Sequence, residues 1–571
     1  MNKITNLLLV TSIALTIASC DLVKDLTYTV NPNPIELKGD SLKFSVSVNV
    51  PEKGLNKKVR AEITPMLGSK SLGTWVVQGE KVTGNGTTVS FKPGGVATFD
   101  MSVAYSSEME AADLVLTGKV FKGSKEKAKE AIPQTKIADA TIITQLLVNR
   151  TFKVLTLTDN LKRSNDKTVE AKINFDRAKS EIRANEMKDK DVLEMLNWVK
   201  KNLSNPKITI NSVEIRGYAS PDGEEAKNDE LSMERAEAGK KAIIELFRKA
   251  KITVLTDAAK YTASKYGEDF EGFKTQLAAT KVISEGDKAL FLRILEMQAD
   301  PVGREKEMIN LGKSYDALEK DVFPAIRRST IVLNYTEQGL TDEELKAAAS
   351  ANPTSLSVEE LLFTAEKLTS DVNQKVNLYA SGVQSFSTDE RVQNNQGVAL
   401  YLNGKLNEAA ASFEKASSIK SNEVISNNQA AVAISKGDRT GARKLLSQAK
   451  KGASVANSVA ISYNTAILDV LDGNYVAASS GFTINSFNKA LVEVLIGKLD
   501  AAKATLKQVP SDAMTHYLSA VASARSGESV DAVVNHLKNA FASNPDLKGK
   551  ASRDREFLKF YKEGVFSSAV N

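Results

Sequence analysis

The residues best placed to do chemistry lie in "RGYASPDGEEAKNDELSMERA", from Arg216 to Ala236. Ser220, Asp222, Asn228 and Arg235 follow one another there, across a strand end, a loop marked by Pro221 and Gly223, and a helix that opens on acidic residues. A helix mouth carries unpaired N–H groups and the positive end of the helix dipole. The layout therefore suits a small anionic site at the helix mouth, or it is plain connecting structure. Elsewhere the chemistry is thin. His516 and His536 are the only histidines and Cys20 the only cysteine, and neither a Gly-rich phosphate loop nor an HExxH pattern is present. No carboxylate pair stands out among the 70 acidic residues. No catalytic residue, metal or cofactor is expected, and the chain is read as not an enzyme.

Positioning these residues falls to a long chain. Its 571 residues exceed one hydrophobic core and predict about three domains. Charged residues are 26% and hydrophobic residues 42%, as in ordinary globular proteins. A net charge of +6 with no basic, aromatic-laced run argues against nucleic acid as a partner.

The N-terminus reads "MNKITNLLLVTSIALTIASC": Lys3, a short apolar run, then Ala18 and Ser19 before Cys20. That is the form of a secretory signal, too short to span a bilayer comfortably. A lone cysteine cannot close an internal disulfide. The ending "IASC" resembles the lipobox of bacterial lipoproteins, which implies a signal peptide over 1–19 and acylation of Cys20. Each buried CH₂ of the acyl chains contributes about 0.8 kcal/mol. The expected result is a chain tethered to a membrane without spanning it.

Three rhythms follow. From about Leu26 to Leu157 the period is two, as in "DSLKFSVSVNV", where Leu42, Phe44, Val46, Val48 and Val50 share one face. "KVRAEITPML", "TTVSFKP", "VATFDMSVAY", "ADLVLTGKVF" and "IITQLLV" continue it, separated by turn signals. This predicts a β-sandwich of immunoglobulin-like type over 20–160. Over 165–338 strands alternate with helices. "VEAKINFD", "ITINSVEIRG" and "RRSTIVLNY" are strands. "DVLEMLNWVKKNL" is a helix, with Val192, Leu193, Leu196, Val199 and Leu203 at threes and fours, and Asn228 to Lys249 is another. These predict an α/β sandwich, interrupted by a helical insertion between Ile252 and Pro324.

Over 345–571 the strands vanish. Gly397, Gly404, Ala409, Phe413 and Ala416 are matched by Ala430, Gly437, Ala442, Leu446 and Ala449, then by Ala466, Gly473, Ala478 and Phe482. Ala490, Gly497, Ala502 and Leu506 follow, and a last copy holds Ala520, Gly527, Ala532 and His536. His536 thus takes the packing place of Phe413 and Leu446. Small residues at helix crossings and a Gly ending each first helix predict a stacked α-solenoid. The pattern resembles tetratricopeptide repeats, with uneven spacing. It implies a concave surface that reads an envelope protein partner.

The central segment, roughly Thr168 to Tyr335, resembles the OmpA-like, peptidoglycan-associating domain. Gly217, Gly223, Asn228, Leu231, Ser232, Arg235 and Ala236 fall at the family's spacings, and "INFDRAKSEI" and "RRSTIVLNY" match its ends. Where the family has Thr-Asp this chain has Ala219-Ser220. The resemblance implies that Arg235 holds the carboxylate of a diaminopimelate zwitterion. The ammonium end would need an anion that Ser220 cannot supply and Asp222 can. Against this stands a plainer reading: Arg235 serves neighbouring acids or the loop backbone, and Asp222-Gly223 is a turn.

Together these readings give an outer-membrane lipoprotein, periplasm-facing, with membrane contact through its lipid. It links the membrane to peptidoglycan and scaffolds a protein partner through its repeats. The alternative is an accessory subunit of an outer-membrane assembly or secretion complex that does not bind peptidoglycan.

Overall fold

The computed structural model describes residues 22–571, so Cys20 and the expected signal peptide lie outside the described residues. The chain divides into two compact units, 22–158 with 365–571, and 159–364. The sheet region and the repeats, expected as separate domains, thus share one unit.

In the first unit the described residues form one 11-stranded sheet, with eight strands on a single hydrogen-bonded path and three pairing off it. Parallel pairing of Ile132–Ile142 with Ile35–Lys38 joins two halves that were expected as separate facing sheets. The sheet curls so that Val46 and Val48 from one half share a core with Val59, Ile63 and Val77 from the other. Ser41–Val50 buries the five alternate residues that its sequence predicts.

The period-two reading fails after Ile142. "IITQLLV" ends its strand there and turns into a 3₁₀ helix at Thr144–Leu147, and residues 148–158 join no sheet. The reason is long-range: Leu147, Val148 and Phe152 are buried in the core of the repeats.

The repeats are helix pairs. Glu390–Leu402 pairs with Leu406–Ile419, Glu423–Ser435 with Arg439–Gly452, and Val455–Leu471 with Tyr475–Gly481. Phe487–Leu495 then pairs with Leu499–Leu506, and Ala513–Arg525 with Val530–Ser543. Gly404, Gly437, Gly473, Gly497 and Gly527 end the first helices with φ between +74° and +88°, the left-handed cap that glycine adopts without a Cβ clash. The last pair corrects the sequence reading. Its turn is one residue longer, so Val533, Leu537 and Ala540 take the packing places, and His536 is left half-buried.

Sheet and repeats meet at several points. Gln145 bonds both backbone groups of Gly39 (2.9 and 2.7 Å), and Arg439 pairs with Asp40 at 2.7 Å. Backbones touch where Gly473 meets Gly39: a Cβ on Gly473 would lie 2.7 Å from the Gly39 nitrogen.

The second unit has a four-stranded sheet in the order Ser164–Asn174, Arg328–Gln338, Ile208–Ala219, Tyr261–Glu268. The first three are antiparallel, and the fourth runs parallel to Ile208–Ala219. That fourth strand corrects the reading of Ile252–Pro324 as a helical insertion. Only Tyr261 of it is buried, so no alternation marks it. Helices Lys190–Asn202 and Glu225–Lys249 supply Val192, Met195, Val199, Ala236, Ile243 and Phe247 to the core. Leu193 and Leu203, expected on that apolar face, are exposed. The insertion proper folds its helices around Phe273, Phe291, Leu318 and Phe323.

Candidate functional site

One place in each unit gathers buried polar side chains around a loop or an extended segment. In the second unit, Gly217 lies near the end of strand Ile208–Ala219, where the long helix Glu225–Lys249 crosses it. A Cβ there would come within 1.8 Å of the Ser232 carbonyl oxygen, so only glycine lets the helix approach. Ser220 to Gly223 then turns into that helix, with Gly223 at φ +122°.

Ser220, Asp222, Asn228 and Arg235 are all brought to this turn, and all are buried. Arg235 is 1% exposed. Its guanidinium donates to the carbonyls of Lys179 (3.0 Å), Tyr218 (2.9 Å) and Asp176 (3.2 Å), and it lies over the Phe175 ring. Burial, then the charge of Arg327, pushes it down to about 10, still cationic at neutral pH.

Asp222 is paired as well. Arg327 donates from Nη2 to Asp222 (2.9 Å) and from Nε to the Ser220 hydroxyl (3.0 Å), and that hydroxyl bonds the other Asp222 oxygen. Arg177 adds a contact to Asp222 at 3.3 Å. Asn228 donates to the Ser220 carbonyl (3.2 Å) and to Glu268 (2.8 Å).

Arg177, Glu268, Arg327 and Glu305 are participants that the sequence did not mark as such. Arg327 heads the closing strand in the quoted "RRSTIVLNY", and its adjacent arginines were the available signal. Glu305 lies in the insertion and accepts from the Gly223 N–H at 2.5 Å. No sequence signal ties it to a loop 82 residues away. A carboxylate from the chain itself thus occupies the anion position at this loop. Burial raises the Glu268 carboxyl, and Glu225 and Glu305 add to the rise.

The other place is the repeat groove. Residues 149–157 run through it in extended form, held by one asparagine from each of four helix pairs. Asn488 Oδ1 accepts from the Asn149 N–H and its Nδ2 donates to the Asn149 carbonyl, both at 2.8 Å. Asn464 clamps Lys153 in the same way (2.7 and 2.8 Å), Asn428 clamps Leu155 (2.8 and 2.7 Å), and Asn395 clamps Leu157 (2.8 and 2.8 Å). Asn427 and Asn394 add bonds to the carbonyls of Lys153 and Leu155.

The clamps are tied to one another. Asn464 donates to Asn427 (2.8 Å) and Asn428 to Asn394 (2.9 Å). Asn394, Asn395, Asn427, Asn428 and Asn464 are each 0% exposed, so their amides are satisfied without water. Every clamp uses backbone groups alone. The groove reads an extended main chain, whatever its side chains. Phe152, 5% exposed, and Val154 fix the segment further by packing on the helices.

No protein-family model and no curated protein matches the chain. Solved structures resemble it in part. A tetratricopeptide repeat protein from Parabacteroides merdae is 17% identical, over 46% of this chain and 96% of that one, at a TM-score of 0.28. YrrB, a tetratricopeptide repeat protein with an unusual peptide-binding site, is 15% identical over 36% and 95%, at 0.20. The Cut9–Hcn1 hetero-tetramer of the APC/C is 14% identical over 66% and 71%, at 0.28.

Proposed function

We propose that this chain is a non-enzymatic, lipid-anchored scaffold: an accessory subunit of an outer-membrane assembly, tethered through Cys20 and facing the periplasm, that does not bind the cell wall. One observation carries the choice against wall binding. The two charges needed to hold a zwitterion are both engaged within the protein, Arg235 by three carbonyls and Asp222 by Arg327 and Ser220. Exchanging those bonds for a ligand would leave buried carbonyls and a buried cation without partners, at several kcal/mol.

The OmpA-like reading of the fold has support of another kind. The strand order, the glycine under the crossing helix and the buried Arg235 give the motif residues a packing role that needs no ligand. Such a domain persists as a rigid platform after the binding chemistry has gone.

The test is a pair of measurements on the full chain. Purified protein should stay in the supernatant with isolated sacculi, and it should co-purify with a membrane complex from detergent-solubilised envelope. Sedimentation with sacculi that Arg235→Ala abolishes in a folded variant would restore the wall-binding reading. Cys20→Ser should move the protein from membrane to soluble fractions, and unchanged retention would remove the lipid anchor from the proposal.

A further inference from the structure

The segment 149–157 is hydrogen-bonded along one edge only. Lys153, Leu155 and Leu157 turn their N–H and C=O groups to the asparagines. In an extended chain the residues between them turn theirs the opposite way. Among the described residues, the backbone groups of Phe152, Val154 and Thr156 have no hydrogen-bond partner. Phe152 is itself buried, while Val154 and Thr156 are half-buried. Buried main-chain groups are almost never left unpaired, so the edge opens to solvent at those two residues.

Space remains beside the segment on both sides, toward opposite ends of the helices it crosses. A cavity of ≈ 330 Å³ is lined by Lys153, Val459, Tyr463 and Ile484, of which Val459 and Ile484 are exposed. A second, of ≈ 650 Å³, takes in Arg150 and Phe152. The segment carries two cations, Arg150 and Lys153, both exposed, and no acid from 149 to 158. Neither cation forms an ion pair among the described residues; the Lys153 ammonium lies over the Tyr463 ring at 5.4 Å.

We propose that the free edge of Val154–Thr156 is a docking strand for an acidic, extended segment of a partner protein, which adds to it as a second β-strand inside the repeat groove. The donors and acceptors of alternate residues supply the pairing, as in β-strand addition to an exposed sheet edge. Arg150 and Lys153 favour glutamate or aspartate on the incoming strand, and the Val459–Ile484 cavity takes an aliphatic side chain. The asparagine clamps give the groove its resident strand, and the resident strand offers the surface. This rests on the scaffold reading and supplies the chemistry of its partner.

Amide hydrogen exchange on the full chain tests it, with a capped peptide of alternating valine and glutamate as the probe. In free protein the amides of Val154 and Thr156 should exchange roughly tenfold to a hundredfold faster than those of Lys153, Leu155 and Leu157. The probe should slow the first set and leave the second unchanged. A valine–lysine peptide should bind more weakly.

Val154→Pro removes an edge donor that no clamp uses, and proline suits an extended backbone. It should weaken the probe at least about tenfold. Retained protection of Lys153 and Leu155 shows that the variant is folded. The probe with N-methyl groups on its pairing edge makes the same test without altering the protein, and it should not bind.

Protection of Val154 and Thr156 in the free protein would overturn the proposal. So would equal binding of the N-methylated probe, or faster exchange at Lys153 and Leu155 on adding the probe, which would mean displacement of the resident strand. Sedimentation with sacculi would instead remove the scaffold-only reading and leave the docking strand standing.

Discussion

The repeat groove of the first unit and the helix-mouth loop of the second are both surfaces that a ligand could fill, and in both the chain fills them itself. They do so by different physics. The loop holds charges: Asp222 against Arg327, Glu305 on the Gly223 amide, Arg235 on three carbonyls. The groove holds neutral amides against a neutral backbone. A charged site fails steeply when one partner is removed, because the other stays behind buried. A neutral ladder loses its strength in steps and tolerates changes in the side chains of the strand it holds.

The two tryptophans report the units separately, Trp75 lying in the first and Trp198 in the second, so denaturation can be followed in each. The largest effect is expected from Arg235→Ala, which opens a cavity and orphans three carbonyls. The second unit should lose about 4 kcal/mol by Trp198 fluorescence. Asp222→Asn leaves Arg327 buried against a neutral group and should cost that unit about 3 kcal/mol, with Trp75 unmoved. An equal loss from both units would mean that the units do not respond independently.

Asn428→Ala removes both bonds to Leu155 and a link to Asn394. It should cost the first unit about 2 kcal/mol and raise exchange at the Leu155 amide before that at Leu157. Replacing 159–364 by a short Gly/Ser linker should leave the first unit within about 1 kcal/mol of its original stability. The chain leaves and returns at one place: Asn395 bonds both Leu157 and Tyr379, and Tyr379 bonds Glu366. Aggregation of that protein would show that the inserted unit holds the first one together. Smallest of all, Thr151→Ser should change stability by less than about 0.5 kcal/mol by Trp75 fluorescence, since its exposed side chain plays no part in a groove that reads backbone.

Much of this was legible before the coordinates. Ser41–Val50 alternates because one face is wet, and five glycines mark helix ends because the cap needs a positive φ. What escaped depends on distant partners. Asn395, Asn428, Asn464 and Asn488 each stand nine residues before a capping glycine, a regularity plain in the sequence once small residues are not the only marks followed. Their meaning was not legible, because the strand they grip lies 238 to 339 residues away. The same holds at the loop. Asn228 and Arg235 stand at legible spacings with Ser220 and Asp222 before them, but the pairing of Asp222 with Arg327 and of the Gly223 amide with Glu305 comes from elements 82 to 107 residues distant. Strand Tyr261–Glu268 escaped for a local reason, since an edge strand with one buried residue has no pattern to read.

The clamped segment also sets an order of events during synthesis. Asn149 leaves the ribosome 339 residues before Asn488, about 20–70 s at ordinary elongation rates. The intervening inserted unit draws only on its own residues for its core and can fold in that interval. The segment that follows the sheet cannot be buried yet, because the helices that cover Leu147, Val148 and Phe152 do not exist. Through that wait "TFKVLTLT" is a bare, aliphatic, strand-forming stretch with no acid to deter self-association. Productive folding of this chain therefore depends on shielding those few residues until the last repeats arrive, and a holdase that covers extended apolar strands should raise its yield more than one that acts on the finished C-terminal half.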